Sequence, residues 1–247
     1  MFTTPFSFLA APAGGGWTPL NLPGIENWFK SDTGITLNGS TVSAWQDSLT
    51  AKSVTQATPA NQPAFTASNA NFNNLPTVDF DNPSSPSYII LQNNTDFIYS
   101  GIFPLYFFII ARKTASIGGY VFAGGGSDAN IGGGAWSIDI RDSYIGSYLG
   151  AMGPSPSVGG STVNVTLLAG LGLTSTNTYA YFNNNSAAIG SAANPLPNPK
   201  FFIGGYDSNG YFNFKGSIAE VIITRGTELS GTDLSNLWSY VQTKYGI

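Results

Sequence analysis

The carboxylates are the first side chains with chemistry to offer, and they are few. Only three Glu occur, Glu26, Glu220 and Glu228, among thirteen acidic residues. Glycoside hydrolysis needs two carboxyl groups about 5–5.5 Å apart for retention, or a wider pair for inversion. No Glu-x-Asp or Asp-x-Glu pair occurs to line one strand with two such groups. The nearest approach is Asp139-Ile140-Arg141-Asp142, whose simpler reading is a surface ion pair. Glu220 lies in Ile218-Ala219-Glu220-Val221 and is expected to be structural, a buried carboxylate bonded to backbone. The chain is therefore expected not to be an enzyme. A polysaccharide hydrolase working through Glu220, Asp139 and Asp142 is the least favoured reading.

Other chemistries are excluded outright. With no His, there is no Ser-His-Asp triad, imidazole base or imidazole metal ligand. With no Cys, disulfides, iron–sulfur clusters and thiolate zinc sites are absent. No cofactor is required. Ca²⁺ remains an option through oxygen ligands, and Asp79, Asp81 and Asp128 are the candidates by chemistry. Asp79 and Asp81 are two apart and would share a strand face. The alternative is an Asx turn for one and solvation for the other. The runs Gly124-Gly125-Gly126 and Gly132-Gly133-Gly134 lack the following helix and Lys of a phosphate cradle, and read as loops between strands.

Aromatic residues carry the remaining signal. Tyr144, Tyr148, Tyr206, Tyr211 and Phe212 lie in stretches rich in Gly, Ser and Asn, with Asp207 among them. Exposed rings stack on sugar faces while Asn and Asp bond hydroxyls, so Tyr144, Tyr148, Tyr206, Asp207 and Tyr211 are candidates for glycan binding. A protein interface or ordinary core would use the same rings.

The elements that must position these residues are strands. Ile35 to Asn38 and Val42 to Trp45 flank Asn38-Gly39, a strong two-residue hairpin signal. Residues 105–111 are continuously apolar, aromatic and β-branched, as befits a strand at the heart of a core. Further strands are expected at 77–80, 88–91, 120–123, 135–140, 164–169, 179–182, 200–203 and 217–224, set off by Gly, Asn and Pro turns. One helix is expected at about 231–245. Ser230 and Asp233 sit at capping-box spacing, Leu234, Leu237, Trp238, Val241 and Tyr245 share a face, and Gly246 follows. It is expected to seal an edge or an open end. Residues 1–24 read as a Pro- and Gly-rich arm, and 25–247 as the domain. In the arm Phe2, Phe6, Phe8, Leu9 and Trp17 either dock on a partner or fold over the chain's own domain.

Composition agrees with one large β domain. The 247 residues are 42% hydrophobic and only 9% charged, well below the roughly 25% of ordinary domains. Net charge is −4, which argues against a nucleic-acid partner. No apolar stretch is long enough to span a bilayer. The N-terminal sixteen residues make a poor signal peptide, with Pro5, Pro12 and no leading Lys or Arg. Export by self-assembly into a virus particle would fit that absence.

Specific segments resemble a known family. Trp45-Gln46-Asp47, residues 56–63 and residues 75–81 resemble the opening of laminin-G-like, concanavalin A-like jelly-roll domains of bacterial and phage proteins. Phe202-Ile203-Gly204-Gly205, residues 214–223 and the closing helix ending Lys244-Tyr245-Gly246-Ile247 resemble its end, and Tyr179 to Asn184 its Tyr-Val-Asn-Gly strand and turn. Where the family has Ser-Gly-Asn after Trp-x-Asp, this chain has Ser48-Leu49-Thr50. The resemblance implies an all-β, two-sheet jelly-roll sandwich with an extended N-terminal arm and one C-terminal helix. It implies little about function, because this fold hosts lectins, adhesion modules, glycosidases and virion parts. The leading expectation is a virion surface protein, a capsid decoration or tail-appendage module of a phage. It would be held to capsid or tail proteins by its arm and assemble as a homo-oligomer. The alternative is a lectin or adhesin at the cell surface, binding host glycans.

Overall fold

The run at 105–111 is apolar at every position, so a strand built from it must be covered on both faces. The computed structural model describes residues 16–81, 89–93, 95–97, 99, 103–115, 119–124, 136–149, 157–160, 162–189, 201–205 and 213–247. Phe2, Phe6, Phe8, Leu9, Asp128, Tyr206, Asp207, Tyr211 and Phe212 lie outside the described residues.

Among the described residues the strands are, in chain order, β1 (Ile25–Lys30), β2 (Ile35–Asn38), β3 (Thr41–Gln46), β4 (Ser53–Thr55), β5 (Ala64–Asn69) and β6 (Leu75–Asp79). Then come β7 (Leu91–Asn93), β8 (Leu105–Lys113), β9 (Gly119–Gly124), β10 (Trp136–Ile140), β11 (Tyr144–Leu149) and β12 (Ser157–Gly159). The set closes with β13 (Thr166–Leu173), β14 (Thr178–Phe182), β15 (Asn185–Ile189), β16 (Phe201–Ile203) and β17 (Gly216–Arg225), followed by helix α1 (Gly231–Tyr245).

Every pairing between these strands is antiparallel. One half of the sheet runs β15-β14-β13-β8-β17. At β17 it divides, because the end of β17 before its bulge pairs with β6 and the end beyond pairs with β1. The other half continues from β6 through β5, β3, β4, β7, β16, β9, β10 and β11 to β12, with β2 on β3. β11 and β12 return against β14 and β15, so this large antiparallel sheet is nearly closed into a barrel.

The interior holds the main core. Leu105, Phe107, Ile109 and Ala111 of β8 join Val221 and Ile223 of β17, Leu167 and Ala169 of β13, and Trp136, Ile138 and Ile140 of β10. The alternate residues of β8, Tyr106, Phe108 and Ile110, face a second core. Helix α1 covers that face with Leu237, Val241 and Tyr245. So the helix lies across a sheet face, where an edge or open end was expected. The reason is that a strand apolar on both sides needs two covers, and only one is the sheet itself.

The helix termini follow local rules. Ser230 Oγ accepts from Asp233 N at 3.2 Å, and Asp233 Oδ2 accepts from Ser230 N at 2.8 Å. Gly246 takes φ 69°, the left-handed conformation that ends a helix. The last residues of the arm are held down. Trp17 lies edge-on to Tyr240 of α1 with ring centres 6.2 Å apart, and Leu22 is buried in the second core.

A candidate ligand-binding face

β10 alternates. Trp136, Ile138 and Ile140 enter the main core, so Ser137 and Asp139 point to the opposite face. That face is also shielded, with Ser137 1% and Asp139 6% exposed. A bulge in β9 builds the next neighbour. Val121 and Phe122 both enter the core, and the register slips so that Tyr120 sits opposite Asp139. Beyond Tyr120, a bridge brings Asn213 alongside. On the other side of Asp139 stands Gly146 of β11. A side chain at Gly146 would come within 3.3 Å of the Tyr144 ring, so glycine leaves that ring room to lie beside the row. Tyr144 is 38% exposed. The result is a row across the sheet: the Tyr144 ring, Asp139, Tyr120 and Asn213.

Polar atoms on this face lack protein partners. Ser137 Oγ, Asp139 Oδ1, and Asn213 Oδ1 and Nδ2 are buried without a hydrogen bond. Native structures rarely leave such atoms unpaired, and clustering them on one face marks a place where water or a ligand completes the bonding. Asp139 Oδ2 accepts from Arg141 Nε in an ion pair. Burial pushes the Asp139 carboxyl up from its ordinary range, and Arg141 and Lys113 only partly offset this. Arg141 is fixed by the turn into β11, where its N donates to Tyr144 O at 2.9 Å and its O accepts from Thr162 Oγ1. At the rim the fully buried Lys113 donates to Asp142 Oδ1 at 2.5 Å.

The structure brings together only part of what the sequence pointed to. Tyr144 and the Asp139–Arg141–Asp142 group meet at this face. Tyr148 pairs in register with Ser137 on β11. Residues 125–135, which include Asp128, join β9 to β10, and residues 206–212, which include Tyr206, Asp207 and Tyr211, end at Asn213. Asp79 and Asp81 lie elsewhere. Asp79 accepts from the hydroxyls of Thr66 and of Thr77, the latter at 2.9 Å, and Asp81 accepts from Thr114 Oγ1 at 2.9 Å. No third carboxylate joins them among the described residues. Ser137, Tyr120 and Asn213 were missed. The polar positions of Trp136-Ser137-Ile138-Asp139-Ile140 were the available signal.

Glu220 is not part of this face. It is fully buried under α1, with Oε2 accepting from Trp28 Nε1 at 2.8 Å. Its Oε1 accepts from Tyr240 OH and Tyr245 OH, both at 2.7 Å, and from Lys244 Nζ at 2.5 Å. Its role is structural, but its partners are side chains where backbone was expected. A separate open groove of about 300 Å³ runs past Ser31, Asp32, Leu37, Phe65 and Pro76. Its polar groups are spoken for, since Ser31 bonds Pro76 O and Asp32 pairs with Lys244.

The sequence matches no protein-family profile and no curated protein. Solved structures do share the fold. A GH54 α-L-arabinofuranosidase superposes with a TM-score of 0.58 at 12% identity, over 83% of this chain and 51% of that one. Trypanosoma rangeli sialidase in complex with 2,3-difluorosialic acid superposes at 0.53 and 13% identity, over 96% of this chain and 35% of that one. The same sialidase with sialic acid gives 0.51 at 12% identity, over 89% and 33%. The chain thus spans a third to about half of the length of these proteins. The likeness is one of fold.

The expectation of a chain without enzymatic function is corrected by these neighbours, which are glycoside hydrolases. That expectation came from the absence of two close carboxylates on one strand. A closed antiparallel sheet places residues side by side from different strands, so spacing along one strand does not decide the matter.

Proposed function

We propose that this chain is a carbohydrate-recognition domain that binds sugar on the β9–β10–β11 face. One observation carries the reading: four buried polar atoms without partners, on Ser137, Asp139 and Asn213, lie on the face that the exposed Tyr144 ring borders next to Asp139. Sugars present alternating C–H faces and hydroxyls, and sites for them combine an apolar platform with a few placed polar groups. The curled sheet is read here as a jelly roll of laminin-G-like type, supported by the segments that resemble that family and by a core alternating along β8 and β10. Glycan-array binding by the full chain tests the reading. Binding lost on Tyr144→Ala, with the fold intact, supports it, and a blank array discards it.

Cleavage of a glycosidic bond at the same face is the second reading. Asp139 favours it, being a buried carboxyl with raised proton affinity and one free oxygen, the form suited to protonate a leaving oxygen. Release of reducing sugar from a bound polysaccharide, abolished by Asp139→Asn, is the test.

A virion-surface setting is a further proposal, supported by the sequence resemblance and the apolar arm. Trp17 already packs on Tyr240, so the anchor would be residues 1–15. Gold-labelled antibody on particle heads or tail tips supports this setting, as does loss of particle binding when 1–15 are deleted. Label confined to cells refutes it.

A further inference from the structure

We infer that Arg141 is the carboxylate receptor of this face, so that the sugars it takes are acidic ones of the uronic-acid kind, an inference that rests on the carbohydrate reading above. Ile140 and Ile145 enter the main core, so Arg141 and Tyr144, bonded to each other across the turn, share the outer side with Asp139. The Arg141 side chain is 39% exposed, whereas Ser137, Asp139 and Asn213 are nearly covered. An arriving ligand therefore meets Arg141 and the Tyr144 ring first.

The guanidinium is held in place yet keeps donors to spare. Its Nε donates to Asp139 Oδ2, and its backbone is fixed by Tyr144 O and Thr162 Oγ1. That bond uses one of five N–H donors. Among the described residues nothing bonds Nη1 or Nη2, so the outer edge of the fork is open. A planar fork takes a carboxylate through two parallel bonds, and one already ordered loses less freedom in doing so. Lys113 is fully buried and donates to Asp142, which leaves Arg141 as the cation of this face that a ligand can reach among the described residues.

Asp139 supplies the second half of the recognition. Its Oδ1 has no partner and accepts only, so it fits a ligand hydroxyl. A uronic acid carries its carboxylate on the ring carbon next to one bearing a hydroxyl. The carboxylate can take the Nη edge while that hydroxyl donates to Asp139 Oδ1 and a C–H face rests on Tyr144. Asp139 keeps its bond to Nε throughout, so no buried charge is left unpaired. The guanidinium lies between the two carboxylates and offsets their repulsion. A neutral sugar leaves the Nη edge to water.

The test uses the full chain and pairs that differ only in charge: oligogalacturonate against its methyl ester, and hyaluronan oligomers against their carboxyl-reduced form, by titration calorimetry. The expected result is an acidic member bound at least about tenfold more tightly than its neutral counterpart, the scale of one charge-assisted hydrogen bond. Arg141→Gln should erase that preference. Arg141→Lys keeps a cation beside Asp139 but loses the fork, so it should fold, as a melting curve checks, and lose most of the preference. Asp139→Asn keeps an acceptor for Nε and removes the competing charge, so acidic affinity should rise. Neutral members bound as tightly as acidic ones, or a preference unchanged in folded Arg141→Lys, would overturn the inference and leave carbohydrate recognition standing. No binding of any neutral or acidic probe, on these pairs and on a broad array, would remove both.

Discussion

Trp28 and Glu220 stand 192 residues apart in the chain, yet the indole N–H donates to the carboxylate at 2.8 Å in the buried space between sheet and helix. The bulge at Ala219 makes the contact. With one extra residue in β17, both Ala219 and Glu220 turn toward α1, and Val221 returns to the main core. Glu220 then collects Tyr240, Lys244 and Tyr245 from the helix.

This carboxylate should be the pin between helix and sheet. Glu220→Gln keeps the shape but removes the charge that balances Lys244. Breaking a buried pair from one side costs about 3–5 kcal/mol, and less here because Lys244 is partly exposed and near Asp32. A loss of roughly 2–3 kcal/mol is expected in urea unfolding. A variant as stable as the wild type would show the helix to be held by its apolar face alone.

The same hub predicts an alkaline limit. Burial, and then the Glu220 charge, push the Tyr240 and Tyr245 phenols well above their ordinary value of 10.0. Tyr106 is pushed up to about 12 by burial. Above pH 10 the unfolded chain loses these protons while the folded one keeps them, so stability should fall as pH rises from there. Absorbance at 295 nm should show their ionisation coinciding with loss of structure. Smooth titration in a folded protein would contradict this.

Asp139 should weigh on stability in the opposite sense from a salt-bridged surface carboxylate. Its folded proton affinity is raised by burial, so the folded state holds a proton that the unfolded state has released as pH climbs through the carboxylate range. Stability contributed by this group is present at acid pH and lost as pH rises through the raised value. Asp139→Asn should therefore raise Tm at pH 7, and the gain should vanish near pH 3. An equal or lower Tm at pH 7 would argue against the burial cost.

Asp47 should matter for the opposite reason, because all its bonds are made. Its Oδ1 accepts from Trp28 N at 2.6 Å, and its Oδ2 accepts from Thr50 N at 2.7 Å and Asn27 Nδ2 at 3.1 Å. Asp47→Ala leaves the buried Trp28 N–H unpaired, while Asn27 Nδ2 keeps Thr50 Oγ1 at 3.3 Å and the exposed Thr50 can turn to water. At about 1–3 kcal/mol per buried orphan, a loss of roughly 2–3 kcal/mol in chemical denaturation is expected. The Thr50 hydroxyl also donates to Asp47 Oδ2, so Thr50→Val should cost about 1 kcal/mol.

Tyr144→Ala should separate binding from stability. The ring is well exposed, so Tm should hold, the expected change being within about 0.5 kcal/mol. Affinity for the bound glycan should drop about tenfold or more, near 1.4 kcal/mol. A fall in Tm with unchanged affinity would make Tyr144 a packing residue.

Much of the fold was legible because its signals are local. The Asn38-Gly39 turn, the capping box at Ser230 and Asp233, the periodic face of α1 and the apolar run of β8 each act over a few residues. Strands β1, β4, β5, β11, β12 and β15 were not legible. Mixed polar residues at half-exposed positions, as in Ala64–Asn69, give no periodicity to read.

The candidate face shows where local reading stops. Alternation along β10 was an available signal for Ser137 and Asp139 on one side, and composition singled out Tyr144. That Tyr120 and Asn213 complete the row depends on a bulge at Val121 and on pairing between segments some ninety residues apart. Glu220 likewise received three of its partners from helix residues twenty or more positions on. Propensity, turns and caps are properties of adjacent residues, so the chain alone determined an all-β body with one C-terminal helix. Register, bulge position and which polar atoms stay unpaired depend on how distant strands settle against a shared core. Those were decided only by the tertiary structure, and the chemistry of the candidate face depends on them.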